Sequence, residues 1–205
     1  MTIRKGEDWG SDVIRPTGLR RCDSDESLAS ALTDTNHLEP PALGLTGGDL
    51  HRTIGSPPER EGDLMRRLPI DLLHVVADGV AHVAVAHAVV RPRLIRGSWW
   101  RGRLLAVMNA DHIGILNVAP RAHPNDGRFD VVEVAPTMSL RDRIKARRRL
   151  PNGSHVPHPH ITVRTGDYET WVFRHPNQLW IDGIRRGSVH ELSVRIEPDA
   201  FAIHV

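Results

Sequence analysis

The pair Asp78-Gly79 stands between two apolar runs, residues 68–77 and 80–90, and this placement constrains the fold more than any other feature of the chain. Asp-Gly accepts the left-handed backbone of a two-residue type I′ turn, so the flanking runs are predicted to pair as an antiparallel hairpin. The pattern persists to the C-terminus. Runs at 104–108, 131–134, 161–164, 169–173, 179–181, 189–196 and 201–205 are aliphatic or alternating, with turn-forming stretches at 165–167, 175–177, 182–183 and 197–199. Short strands broken so often predict a sandwich or barrel-like layer. Between 104–108 and 131–134 the loop Pro120-Arg121-Ala122-His123-Pro124-Asn125-Asp126-Gly127 is stiffened by two prolines and turned at Asp126-Gly127.

Helical signals are fewer. Asp23 or Ser24 can cap a helix carrying Leu28, Ala31 and Leu32, with Glu26 completing a capping box and an end near residues 33–36. Residues 139–150 form the clearest helix, Ser-capped and closed by Pro151-Asn152-Gly153. It carries Arg141, Arg143, Lys145, Arg147, Arg148 and Arg149 against the single carboxylate of Asp142, and its apolar stripe of Leu140, Ile144 and Leu150 is narrow. Such a helix packs on a domain as a solvated face or meets anionic lipid headgroups transiently. Residues 40–50 read as a short buried strand entering a glycine loop and then a helical turn, an arrangement whose N–H groups can hold an anion or simply make a tight turn.

The charge balance is close to even, 27 Lys+Arg against 25 Asp+Glu, and a nucleic-acid partner is not expected. One cysteine excludes an internal disulfide and suits a reducing compartment. No apolar run reaches the roughly 18 residues of a membrane span, and Lys5, Glu7 and Asp8 are unlike a signal peptide, so a cytoplasmic protein is expected, peripheral at the inner membrane face if it meets lipid. His74, His82 and His87 lie on predicted strands and read as partly buried histidines; His155, His158 and His160 are scattered by Pro157 and Pro159 and read as structural. Trp99-Trp100 between glycines reads first as a tight turn packing on the sandwich, and second as the wall of an apolar ligand cleft.

Several motifs occur in a set order: Asn109, then Val118-Ala119-Pro120, Ala122, Asn125-Asp126-Gly127 and Asp130, and finally Trp180-Ile181-Asp182-Gly183, Gly187 and Ile196-Glu197-Pro198 before Ala200-Phe201. This order resembles the bacterial diacylglycerol and lipid kinase family, relatives of sphingosine kinases. Residues 44–55 are similar to the family segment Gly-Thr-x-Asn-Asp-Leu-Ala-Arg-Thr-Leu-Gly, matching at Asp49-Leu50, Arg52-Thr53 and Gly55 and departing at Gly48 and His51. Gly47-Gly48-Asp49 is then a false echo of the family's nucleotide loop, Gly-Gly-Asp-Gly-Thr.

The resemblance implies an α+β chain: an irregular arm at 1–18, a reduced α/β nucleotide-domain remnant at 19–67, and a mostly antiparallel, sandwich-like lipid-kinase domain at 68–205. Residues 1–43 are too few for the βα units that usually precede such a segment. The implied nucleotide and phosphate contacts are Gly47, Gly48, Asp49, Arg52 and Thr53, with ATP and magnesium as cofactors. A structural magnesium is implied at Asp126 with the carbonyls of His123 and Arg128. The family's general base is the Glu of an Asp-Gly-Glu turn; here the turn is Asp182-Gly183-Ile184, leaving Asp182 as the one carboxylate there. Expected, therefore, is a lipid-kinase-like protein with weak or no kinase activity and a lipid-binding or regulatory role, meeting a lipid or an anionic membrane surface, as a homodimer or beside a partner kinase subunit. The alternative is an active ATP- and magnesium-dependent kinase of a diacylglycerol-like hydroxyl.

Overall fold

The computed structural model describes residues 9–34, 41–58 and 62–205. Residues 1–8 of the predicted arm, the helix end expected at 35–36, Pro40 and linker residues 59–61 lie outside them.

The arm is not irregular throughout. Ser11–Ile14 forms β1, antiparallel to the start of β4 (Leu64–Ala77). An edge strand needs only one hydrogen-bonding partner and tolerates polar side chains, which is why its composition hid it. Arg66 secures it by donating to Trp9 O at 2.7 Å, and Gly10, at φ +87, lets the backbone pass where a Cβ would sit 2.5 Å from Arg67 O. This same pairing explains why β4 starts at Leu64 and not at residue 68.

A small parallel unit follows: β2 (Arg20–Cys22), α1 (Asp25–Thr33), β3 (Leu43–Leu45) and α2 (Gly48–Thr53), with β3 parallel to both β2 and the end of β13. The capping box falls one residue later than expected: Ser24 Oγ accepts from Ser27 N at 3.3 Å, and Ser27 Oγ accepts from Ser24 N at 3.2 Å. From β4 the chain turns through Asp78-Gly79, at φ 47 and 82, into β5 (Val80–Ala84) and then β6 (His87–Arg91). Next come β7 (Leu104–Met108), a small hairpin of β8 (His112–Ile113) and β9 (Leu116–Asn117), β10 (Phe129–Val134) and α3 (Leu140–Arg149). The last elements are β11 (Ile161–Gly166), β12 (Tyr168–Ile181) and β13 (Ile184–His204). The described strands outside the small hairpin join one sheet in the order β1-β4-β13-β12-β6-β7-β10-β11, with β5 on β4 and β2 and β3 beside β13. The fold is α+β and mostly antiparallel, as expected.

Two predicted turns are not turns. His175-Pro176-Asn177 lies inside β12, where the pairing jumps from Val172–Glu191 to Asn177–Val189, and Glu197-Pro198-Asp199 lies inside β13, where it jumps from Glu197–Leu72 to Phe201–Ile70. Proline cannot donate to a ladder, but an irregularity leaves it unpaired without ending the strand. Three apolar clusters result. Leu73, Val107, Val131 and Leu192 belong to the largest, Leu28, Leu50, Ile70 and Ile203 bury α1 and α2, and Val89, Met108, Val132 and Met138 lie near α3.

Candidate functional site

The glycine loop does hold an anion, and the anion is the chain's own. Asp49 N donates to Asp25 Oδ2 at 2.6 Å and Leu50 N donates to Asp25 Oδ1 at 3.0 Å, so the first turn of α2 is closed by a carboxylate from α1. Gly48 makes this possible: at φ +95, its missing Cβ would stand 2.5 Å from Asp25 Oδ1. Burial is the main cause that raises the Asp25 carboxyl to about 6, with the charges of Asp182 and Asp49 adding to it and the two N–H bonds opposing it.

The remaining members of the predicted phosphate set are committed elsewhere or face solvent. Asp49 Oδ2 lies 2.9 Å from His87 Nε2, and Asp49 Oδ1 accepts from Gly114 N at 2.7 Å. Thr53 Oγ1 lies 2.7 Å from Asp111 Oδ1, while Arg52 is exposed. His87 is 1% exposed; burial by itself would lower its pKa, but the Asp49 hydrogen bond and the charges of Asp182, Asp49 and Asp25 raise it overall.

Asp182 completes this buried chain of acids. Its oxygens accept from Val85 N, Ala86 N and His87 N at 2.8, 3.0 and 2.9 Å. Those bonds fix the β5–β6 corner against the Asp182-Gly183 turn, at φ 48 and 79. Asp182, the catalytic candidate, is thus engaged as a clasp on this corner. Ile184 follows the turn, where the family has its glutamate.

The loop at 123–128 is shaped by a residue that the sequence did not single out. Asp71, fully buried on β4, accepts from Gly127 N at 2.7 Å and from Asp199 N at 2.8 Å, and its own N donates to Pro124 O at 2.8 Å. Asn125 Nδ2 bridges Asp71 and Asp199. The available signal was a carboxylate inside the otherwise apolar run of residues 68–77. Of the predicted magnesium set, Asp126 accepts from Arg128 N at 3.0 Å, and His123 packs edge-on against Trp9 with ring centroids 4.7 Å apart. Burial raises the carboxyls of both Asp126 and Asp130, the latter to about 6 with the Asp126 charge adding to it. The charges of His123 and Arg128 beside Asp126, and of Arg121 beside Asp130, oppose that rise. Among the described residues, no group of three or more His, Cys, Asp or Glu side chains is arranged to hold a metal.

Away from these acids, the face of β6, β7 and β10 and the helix α3 enclose an apolar cleft of roughly 190 Å³, whose walls include Trp99, Trp100, Leu105, Val132, Met138 and Ile161. The tryptophans line this cleft. Arg143 fastens α3 to the wall: it is 5% exposed and donates to Met138 O, Trp99 O, Gly102 O and Ala135 O at 3.3, 3.2, 2.5 and 3.0 Å. It is thus removed from the membrane-facing set, because four carbonyls occupy its guanidinium. Arg141, Lys145, Arg147, Arg148 and Arg149 remain exposed, Arg147 with its guanidinium 5.7 Å from the centre of the Trp100 ring. His155 is buried with Nε2 3.1 Å from Val118 O, and His158 and His160 lie ring to ring at 5.8 Å.

Residues 96–205, more than half of the chain, match the family described as the YegS C-terminal NAD kinase beta sandwich-like domain. The chain belongs to that family. The YegS-type match and the motif order agree on the lipid kinase superfamily. Among solved structures, a proposed diacylglycerol kinase from Bacillus anthracis str. Sterne superposes with a TM-score of 0.63 at 11% identity, covering 91% of this chain and 77% of that one. A second structure of that description gives a TM-score of 0.63 at 14% identity with the same coverage, and a diacylglycerol kinase from the same organism gives 0.56 at 13%, covering 91% and 75%. At such identities the likeness is one of fold. No curated protein sequence matches the chain. Among the described residues, no helix of this YegS-type chain is long and apolar enough to cross a membrane.

Proposed function

We propose that this chain is a lipid-binding member of the lipid kinase superfamily with no phosphotransfer activity of its own, taking an acyl chain into the cleft beneath Trp99 and Trp100. The observation that carries this reading is the Asp25 carboxylate on the N-terminus of α2. A nucleotide phosphate entering there meets a buried negative charge and finds the N–H groups of Asp49 and Leu50 already taken, which is unfavourable in both Coulomb energy and hydrogen bonding. ATP with magnesium does not fit the glycine loop. The turn at 182–184 offers little as a base either, since Asp182 is held by three N–H donors and Ile184 cannot accept a proton. A divalent cation at Asp126, with the carbonyls of His123 and Arg128, belongs to the same proposal; it supplies rigidity to the 123–128 loop and takes part in no chemical step.

The cleft supports the other half of the reading. At roughly 190 Å³ it is smaller than the 300 to 1,000 Å³ usual for drug-sized ligands, and its lining is overwhelmingly apolar, which suits part of one acyl chain without a headgroup. The test uses the purified chain with radiolabelled ATP, magnesium and diacylglycerol in mixed micelles, alongside a titration with lipid brominated along its acyl chain. The expected result is no labelled lipid, together with tryptophan quenching that Ala146→Phe, which fills the cleft from α3, reduces. Labelled lipid whose formation is lost in Asp49→Ala would establish an active kinase instead, and an absence of quenching would remove the cleft from consideration.

A further inference from the structure

Next to the cleft mouth, the single 3-10 turn Leu94–Arg96 pushes two adjacent aliphatic side chains into solvent, Leu94 at 79% and Ile95 at 87% exposure. Arg93 and Arg96 flank them in the chain and Arg101 follows, all exposed. The projection is held in place. Gly97 N closes the turn on Leu94 O at 2.9 Å and Ser98 N bonds Arg93 O at 3.3 Å. The Arg91 guanidinium donates to Ser98 Oγ and lies 5.1 Å from the ring centres of both Trp99 and Trp180. Arg143, reaching from α3 to the carbonyls of Trp99 and Gly102, then ties this loop to the basic helix.

Loop and helix therefore adjoin in one stretch of surface. It carries Arg93, Arg96 and Arg101 from the loop and Arg141, Lys145, Arg147, Arg148 and Arg149 from the helix, with Leu140 52% and Ile144 38% exposed among the latter. Lys145 with Asp142, at 3.7 Å, is the one ion pair on this face among the described residues. We propose that this face docks on an anionic lipid bilayer, with Leu94 and Ile95 entering the boundary between headgroups and acyl chains while the surrounding arginines bind lipid phosphates. The charge excess selects an anionic partner. The aliphatic pair at the tip selects a bilayer over a nucleic acid, since a bilayer alone among extended polyanions offers an apolar layer beneath its charge. Arginine suits the surrounding positions because its guanidinium pairs with phosphate oxygens bidentately. This proposal does not require the cleft to hold lipid, although Trp100 and Arg147 belong to both surfaces.

The test is cosedimentation with vesicles of phosphatidylcholine alone or mixed with phosphatidylglycerol, at low and moderate salt. Wild type is expected to partition onto the anionic vesicles with a salt-sensitive constant. The double variant Leu94→Asp, Ile95→Asp is expected to lower that constant by about tenfold or more, since it removes two insertable side chains and adds repulsion. Both positions are mostly in water, so the melting temperature of that variant should match wild type, and Arg141→Glu with Arg148→Glu should weaken binding chiefly at low salt. Equal retention on neutral and anionic vesicles at low salt would overturn the proposal. So would unchanged binding by the double aspartate variant, with single-stranded RNA competing equally for both proteins, since that marks a general polyanion surface.

Discussion

Asp182→Ala is expected to lower the free energy of unfolding by about 3–5 kcal/mol, a loss more typical of core truncations than of active-site substitutions. Three backbone N–H groups, those of Val85, Ala86 and His87, lose their only acceptor in a buried corner, and each such orphan costs roughly 1–3 kcal/mol. Alanine also has to adopt φ 48 at the first turn position, where aspartate is tolerated more easily. Asp182→Asn keeps the turn conformation but sets an NH₂ against one of the N–H donors, so an intermediate loss is expected. Urea unfolding followed by tryptophan fluorescence measures both variants. An unchanged midpoint in Asp182→Ala would mean the carboxylate is free, and would return it to the list of candidate bases.

The same residue shows where sequence reasoning reached and where it stopped. Asp78-Gly79 and Asp182-Gly183 were legible as turns because the left-handed backbone they supply is a local property, and both take it. What the Asp182 side chain does was not legible. Its donors come from a corner 95 to 97 residues earlier in the chain, and Asp71 likewise reaches Gly127 and Asp199 across 56 and 128 residues. A carboxylate inside an apolar run announces that it must find donors, but not which ones. Arg143 failed for the related reason that a basic helix reads as uniformly solvated, whereas every third or fourth position turns inward, and this one meets four carbonyls. The missed strand continuity at 175–177 and 197–199 has a different origin. Pro-Asn and Pro-Asp report local backbone preference, and long partner strands overrode it.

These misses share a functional consequence. Residues 44–55 resemble a family segment by spacing, yet spacing does not reveal whether the N–H groups of α2 are free, and that depends on Asp25, a residue from a different helix. In the sequence Asp25 is simply one of the residues that open the first helix, between Ser24 and Glu26. In the fold it has the place that a bound anion takes in an open glycine loop, and it is linked through Asp49 and His87 to the corner that Asp182 closes. The acids at this site stabilise a closed arrangement of the chain itself.

The second large effect is a pH dependence assigned to Asp25. Its folded carboxyl titrates at about 6, against about 3.9 for an unfolded aspartate, so between those values the folded protein binds the extra proton. Its contribution to stability is therefore fullest below the unfolded value and diminishes as pH rises through the folded value, by about 3 kcal/mol at about 1.4 kcal/mol per unit. The raised pKa values of Asp182 and His87 act in the same direction, while half-buried His123 and buried His155, whose pKa values burial lowers, oppose it on acidification. A raw stability curve mixes these contributions. Subtracting the curve of Asp25→Asn, which cannot titrate there, isolates Asp25. Wild type is expected to lose roughly 2 kcal/mol of that relative to Asp25→Asn between pH 4 and pH 7.5, whatever constant offset the new NH₂ introduces against Asp49 N or Leu50 N. Chemical denaturation at six or so pH values across that window is sufficient. A difference that stays flat means the carboxylate is not buried against α2; the glycine loop is then open, and ATP with magnesium should raise the melting temperature of wild type by binding there.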